Sequence, residues 1–400
     1  MYQSPYAKST IELNDEQQDI LAGKQGNMVA KCLKTMIDIG ETMGATRMVP
    51  ISFGHITGTF AMSTFHGYYE LLDRLVDAGC KVKVPTTTNP HPGREFSFLN
   101  RRLYRPQIHH EECMRKLGVI QNYSCVAYYE ENTPPLGAIG GCGESSVVVY
   151  MNSALGARTN IWGVLTDFYQ SISGFTPEFG LLLDENRVGK VLFDISELQD
   201  PDPDALGLFV GYKAVDRLPV ITHHPFDKLQ LKHLLSAANS SGAARLVHVE
   251  GVTPEAPDIK TAMDGKEPVE VFKVKQSDLD ALRASRKVQD ETDVVVYGCP
   301  QMTLHEVLEL APHFIGRFVE KRTLFSMVPR DLELLKRHDE YEQLQLAGVE
   351  LVPACPLTYL TLRDPGLKNV LTNSGKLHYY LAGAQFATTE DTLRVAGVEK

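Results

Sequence analysis

The sequence contains no run of about 18 apolar residues, so no membrane-spanning helix is expected. Basic charge is not in excess. The 40 Lys and Arg against 50 Asp and Glu give a formal net charge of −10, a poor footprint for nucleic acid. The first residues, Met1 to Asn14, lack the apolar stretch of a signal peptide. No Cys-x-x-Cys pair occurs, and with it goes the signal for a zinc ribbon or a ferredoxin-type cluster. Walker A, a strand-linked Gly-x-Gly-x-x-Gly, Gly-x-Ser-x-Gly and His-Glu-x-x-His are also missing. Their absence removes the common NTPase, dehydrogenase, α/β-hydrolase and zincin readings. The seven cysteines are odd in number, which argues against a disulfide framework and for reduced thiols in a cytoplasmic protein.

What is present is an ordinary globular composition. Hydrophobic residues make up 43% and charged residues 22% of the 400, enough to bury a sizeable core in two or three domains. A helix is expected over Asp15–Glu41. Asn14 and Gln17 have capping-box spacing, and Met28, Val29, Cys32, Leu33, Met36 and Ile37 fall on one stripe, with Cys32 as a core filler. Short strand candidates then alternate with helical periods such as Leu229–Ala238 and Leu304–Ala311. The strands are Arg47–Ser52, Lys81–Pro85, Val147–Met151, Lys190–Ile195, Val220–Thr222, Arg245–Glu250, Asp293–Tyr297, Val349–Pro353 and Asn369–Thr372. This alternation predicts an α/β protein of several βαβ-type subdomains, with mostly parallel sheets around a central cleft. The proline-broken Asp200–Asp204 and the Pro- and Gly-rich Thr253–Glu267 suggest an N-terminal region 1–200, a middle region 201–275 and a C-terminal region 276–400.

Three strand candidates run into turns with reactive side chains, where ligands bind in open α/β sheets. Asp293–Tyr297 ends in Gly298-Cys299-Pro300, Val349–Pro353 leads to Cys355-Pro356, and Asn369–Thr372 leads to Asn373-Ser374-Gly375-Lys376. Proline stiffens the backbone beside each thiol; two unrelated buried cysteines are the alternative. The run Gly140-Gly-Cys-Gly-Glu-Ser-Ser146, with Asn152 to Asn160 beyond it, brings Glu144, Ser145, Asn152 and Arg158 close together in sequence. Gly-rich turns admit a ligand to the backbone, a carboxylate can ligate a metal or move a proton, and an Arg fork can clamp a carboxylate. Helix capping is the competing role for the same residues. His55 falls in the turn after Arg47–Ser52, and Thr87 and Asn89 follow the next strand. His109-His110-Glu111-Glu112 looks like a metal patch, but adjacent helical residues do not share a face, so a surface role is preferred.

These residues are similar to those of the aconitase X family. The resemblance runs over nearly the whole chain. It is carried by Ser52-Phe-Gly-His-Ile-Thr-Gly58, Val84-Pro-Thr-Thr-Thr-Asn89, Glu144-Ser-Ser146, Asn152-Ser-Ala-Leu-Gly-Ala-Arg-Thr-Asn160, Gly251-Val-Thr-Pro-Glu-Ala256, Gly298-Cys-Pro300 and Thr372-Asn-Ser-Gly-Lys376. It implies an aconitase-like fold and elimination of water from a small hydroxy acid such as mevalonate 5-phosphate or cis-3-hydroxy-L-proline. It implies an iron–sulfur cluster on Cys125, Cys299 and Cys355. All three being present favours a 4Fe–4S centre, with 2Fe–2S or mononuclear iron as alternatives.

The chain stops soon after Lys376, so the resemblance also implies a separate small swivelling subunit that supplies a serine base. His55, Glu144 and Ser145 are then the catalytic candidates, and Ser52, Thr87, Asn89, Asn152, Arg158, Asn373, Ser374 and Lys376 the substrate-binding ones. Val126-Ala127 stands where the family reads Thr-Pro, and Gln301-Met302 where His and a small residue are common. These departures bear on the substrate. Two other classes stay open: a zinc-binding or cysteine-nucleophile enzyme using the same thiols, and a non-catalytic scaffold subunit.

Overall fold

The computed structural model describes residues 11–57, 66–93, 101–129, 131–284, 292–364 and 366–399. Residues 1–10, and Gly58 at the end of the His55 motif, lie outside the described residues.

The chain opens with two helices where one is expected. Asp15–Leu21 carries the Asn14–Gln17 capping box, and Asn27–Thr42 buries its apolar stripe, Cys32 included. Gly23 and Gly26 between them sit at φ of 82° and 99°, a left-handed backbone that no helix continues through. Five strands follow: β1 (Met48–Pro50), β2 (Phe53–Ile56), β3 (Thr86–Thr88), β4 (Gly140–Cys142) and β5 (Phe175–Pro177). β1 and β5 form an antiparallel pair, while β3-β2-β4 is a parallel sheet. His55 lies inside β2, opposite Thr87 and Cys142, not in a turn after a strand. The strand expected at Lys81–Pro85 forms only at β3, just beyond it.

Val147–Met151 is not a strand. It belongs to the helix Ser145–Ser153, whose Val147, Val148, Val149 and Met151 are 0% exposed. A short apolar run reads alike as a buried strand or a buried helix. What selects the helix is its cap: Glu144 Oε2 accepts from the Val147 N–H at 2.7 Å. The glycines before it serve packing. A Cβ on Gly140 would lie 2.3 Å from the Phe53 ring, and one on Gly143 2.4 Å from the Trp162 carbonyl.

The middle sheet is parallel, in the order β8-β7-β6-β9, with β6 (Val191–Asp194), β7 (Pro219–Ile221), β8 (His248–Val249) and β9 (Glu270–Lys273). β6 precedes Asp200–Asp204, so this layer begins upstream of residue 200; within that stretch Asp202 caps the helix Pro203–Ala214. This helix packs on Lys228–Gly242 with almost no space between backbones: a Cβ on Gly242 would meet the Gly211 carbonyl at 2.0 Å.

The last sheet is also parallel, in the order β12-β11-β10-β13-β14, with β10 (Val294–Met302), β11 (Thr323–Met327), β12 (Val349–Val352), β13 (Val370–Thr372) and β14 (Gln385–Phe386). β10 continues through Gly298-Cys299-Pro300, where the Cys299-Pro300 peptide is cis and the register against β11 shifts. Gly298 has φ 97°, and a Cβ there would lie 2.3 Å from the Ser326 carbonyl, so only glycine fits. The whole is a mixed α/β protein with mostly parallel sheets. Among the described residues no helix is long and apolar enough to cross a membrane.

Candidate active site

Cys125, Cys299 and Cys355 come close enough to act on one another electrostatically. Cys355 caps the helix Pro356–Arg363 at the end of β12 and donates its N–H to the His91 carbonyl at 3.1 Å. Cys299 lies in β10, and its carbonyl accepts from the Ser374 hydroxyl. Cys125 sits in the loop before the short turn Ala127–Tyr129, tied across to Gln301. The Gln301 N–H donates to Cys125 Sγ at 3.3 Å, and its side-chain carbonyl accepts from the Cys125 N–H at 3.3 Å. Gln301, a departure from the family pattern in sequence, therefore positions a thiol from 176 residues away.

Burial pushes the Cys125 thiol up to about 12 and Cys299 well above the usual range; Cys355 raises both further, while Lys376 opposes the rise. The three thiols thus share one electrostatic site. Their sulfurs are not gathered within 4.8 Å of one another. The N–H bond to Cys125 Sγ is of the kind that stabilises a ligating thiolate.

Beside the thiols, Lys376 Nζ donates to Glu144 Oε1 at 2.7 Å and to the Ser146 hydroxyl. Burial alone would lower Lys376, but Glu144 and the two cysteines raise it, so it stays charged. Glu144 also accepts from the Ser145 hydroxyl at 3.2 Å. Its two oxygens hold a helix cap, a lysine and a serine. Glu144, Ser145, Asn89 and Thr57 line an open cavity of about 780 Å³, walled opposite by Tyr379 and Tyr380. A larger cavity of about 910 Å³ lies between Val126, Leu229, Leu304 and Val328; neither cavity is lined by the cysteines or Lys376, but only the smaller one is lined by Glu144, the partner of Lys376, and it is taken as the candidate cleft.

His55 is fully buried, and burial lowers its pKa, so it is neutral. Its Nε2–H donates to Asn89 Oδ1 at 2.9 Å, leaving Nδ1 to accept from Thr87 at 2.8 Å. It holds Asn89 at the cleft rather than facing the cleft itself. Asn132, which nothing in the sequence singled out, donates to Thr87 at 3.0 Å and completes the chain.

Four expected residues are not brought to the site. Both donors and the acceptor of Asn152 are taken by Thr159, Arg245 and Arg187. Arg158 donates to the Leu182 carbonyl and pairs with Asp184 at 2.5 Å. Ser52 bonds the Ile139 carbonyl on an exposed surface, and Asn373 donates to Thr389. Arg158 is therefore no free clamp for a carboxylate.

Sequence reading also missed a buried charge network beneath the site. Lys232, 0% exposed, donates to both Glu306 oxygens at 2.7 and 2.6 Å and to the Gln301 carbonyl at 2.8 Å. His233 bridges Glu306 at 3.0 Å and Asp204 at 2.9 Å, and Asp204 accepts the Gly375 N–H at 2.7 Å. One network thus braces both the Cys125–Gln301 contact and the helix carrying Lys376. Burial would lower His233, but Asp204 and Glu306 raise it to about 9. A folded pKa above the unfolded value of about 6.5 stabilises fully below that value, and the gain is lost as pH rises toward 9. The urea midpoint should fall over this window, and that part of the fall should vanish in His233→Gln; identical curves for the two proteins would exclude the pairing.

Comparison with known proteins places the chain in a family. The chain matches the Aconitase X first domain over residues 10–185, the second domain over 189–284 and the third over 292–397. It is 32% identical to the phosphomevalonate dehydratase large subunit of Thermococcus kodakarensis, over 95% of this chain and 97% of that one. It is 30% identical to that of Methanosarcina mazei, over 93% and 92%. It is 27% identical to the cis-3-hydroxy-L-proline dehydratase of Pseudomonas aeruginosa, over 92% of this chain but 66% of that protein. Among solved structures, holo-form aconitase X of Thermococcus kodakaraensis superposes with a TM-score of 0.85 at 29% identity, covering 96% of this chain and all of that one. The class so defined is a lyase of the dehydratase kind. The chain belongs to the aconitase X family.

Proposed function

We propose that this chain is the large subunit of an iron–sulfur dehydratase that removes water from mevalonate 5-phosphate, acting in the cytoplasm with a small swivelling subunit. The observation that carries the reading is the convergence of Cys125, Cys299 and Cys355 on Lys376 and Glu144 beside an open cleft. The substrate follows the relatives matched over more than nine-tenths of their own length, which are named large subunits. The location rests on seven free cysteines.

The three cysteines would hold the cluster, a 4Fe–4S centre by their number. When bound, it supplies a Lewis-acidic iron that weakens the carbon–oxygen bond. The chain's own residues do the rest of the ground work. Lys376, held charged by Glu144, offsets the negative charge of thiolates and of a bound acid. Ser145 and Asn89 present a hydroxyl and an amide to the cleft, and His55 and Thr87 fix the Asn89 amide. Glu144 already holds Lys376, Ser145 and a helix end, so the base that takes the carbon-bound proton is assigned to the small subunit.

The test is anaerobic reconstitution with iron and sulfide, with and without the small subunit, and assay on both mevalonate 5-phosphate and cis-3-hydroxy-L-proline. Turnover of the phosphate only in the presence of both subunits is expected. Preference for hydroxyproline would replace the substrate, and zinc without sulfide in the isolated protein would replace the cofactor.

A further inference from the structure

The His109-His110-Glu111-Glu112 run does not act as one patch. His110 turns inward to Tyr68 at 2.8 Å, Glu111 accepts from Gln107 at 3.2 Å, and Glu112 pairs with Lys116 at 3.0 Å. His109 is left facing a different pair of groups. One helical turn further on, Cys113 shares its face, and Asp73 reaches across from the helix His66–Asp77. The His109 Nε2 to Asp73 Oδ1 distance is 2.8 Å, Cys113 Sγ to Asp73 Oδ1 is 3.8 Å, and Cys113 Sγ to His109 Nε2 is 3.7 Å. Among the described residues this is the one set of three such donor atoms lying mutually within 4.8 Å.

We propose that Asp73, His109 and Cys113 form a zinc-type metal site that clamps the helices His66–Asp77 and Arg101–Leu117 together, separate from the thiols of the cleft. Three arguments carry it. The first is donor chemistry: one thiolate, one imidazole and one carboxylate suit a borderline-soft divalent ion, with water in the fourth position. The second is spacing. Ligands at 2.0–2.3 Å around a tetrahedral ion are roughly 3.3–3.6 Å apart, so the two sulfur edges already fit and the Asp73–His109 edge needs to open by about half an ångström. The third is charge. A divalent cation with one thiolate and one carboxylate is neutral, which a site with a buried sulfur and two half-exposed partners tolerates. Both ligand helices are anchored in the core through Tyr68, Leu72, Met114 and Leu117, so the donors sit on rigid supports. Burial and Asp73 push the Cys113 thiol up to about 11, and the arriving cation displaces its proton.

The test is zinc titration of the full-length chain, with equivalents counted against a chromophoric chelator, for wild type, Cys113→Ser and His109→Gln. Each variant is expected to bind one equivalent fewer than wild type. That difference isolates this site from the cleft thiols, whatever those hold. Zinc should also raise the melting temperature of wild type more than that of either variant. His109 is half-exposed, so its replacement leaves the fold intact even where Cys113→Ser does not. Equal zinc equivalents in wild type and His109→Gln would overturn the site and leave Asp73–His109 a surface ion pair over a buried thiol.

Discussion

Cys299→Ala is expected to lose both the iron chromophore and dehydration after anaerobic reconstitution, with activity down by about 10³-fold or more. The estimate follows from the several kcal/mol a Lewis-acidic iron contributes to such a step, at about 1.4 kcal/mol per tenfold. Cys299 is the most constrained of the three thiols. It sits in a buried strand between Gly298, which admits no side chain, and Pro300, with its carbonyl held by Ser374. Cys142→Ala is the control. That thiol is 0% exposed but lies against Met151 in the core, and its loss should cost stability without bleaching the protein. A Cys299→Ala protein that kept its spectrum would refute the ligand assignment.

Lys232→Ala is expected to lower the unfolding free energy by about 3–5 kcal/mol, the largest stability effect of any single change in the charge network. The substitution leaves the Glu306 carboxylate buried, with only His233 and the Thr303 N–H and hydroxyl, and strips a donor from the Gln301 carbonyl. Lys232 and His233 hold Glu306 down at about 2 despite burial that would raise it. Lys232→Met combined with Glu306→Leu should cost less than the sum of the single changes, because no uncompensated charge remains. Denaturant titration of the four proteins measures the coupling. A Lys232→Ala protein within about 1 kcal/mol of wild type would show the ion pair to be dispensable.

Much of the site was legible along the chain because strand-end loops collect function. Cys355, Ser374 and Lys376 follow strands of the C-terminal parallel sheet, as proline and glycine marked, whereas Cys299, expected just past a strand end, lies inside β10, which runs on to Met302. Cys125 carries no such mark; only its family resemblance picked it out, and its partner Gln301 is 176 residues away. Lys232 and His233 fall in the helical period Leu229–Ala238, Glu306 in Leu304–Ala311 and Asp204 in the proline-broken stretch; no local pattern singles them out, and only the contact of distant segments pairs them. The same holds for Cys113, His109 and Asp73, whose meeting depends on how two helices pack.

By itself the sequence determined the alternation of strands and helices, the Asn14–Gln17 cap, the buried stripe around Cys32 and the Cys355-Pro356 junction. These depend on neighbours a few residues apart, where backbone geometry leaves little choice. Only the tertiary structure decided that Glu144, the local cap of the helix Ser145–Ser153, also holds Lys376. It also decided that Asn152 and Arg158 are not free for substrate. The physical reason is that a polar side chain has a fixed number of hydrogen bonds to give, and which partners claim them is settled only when distant segments pack together.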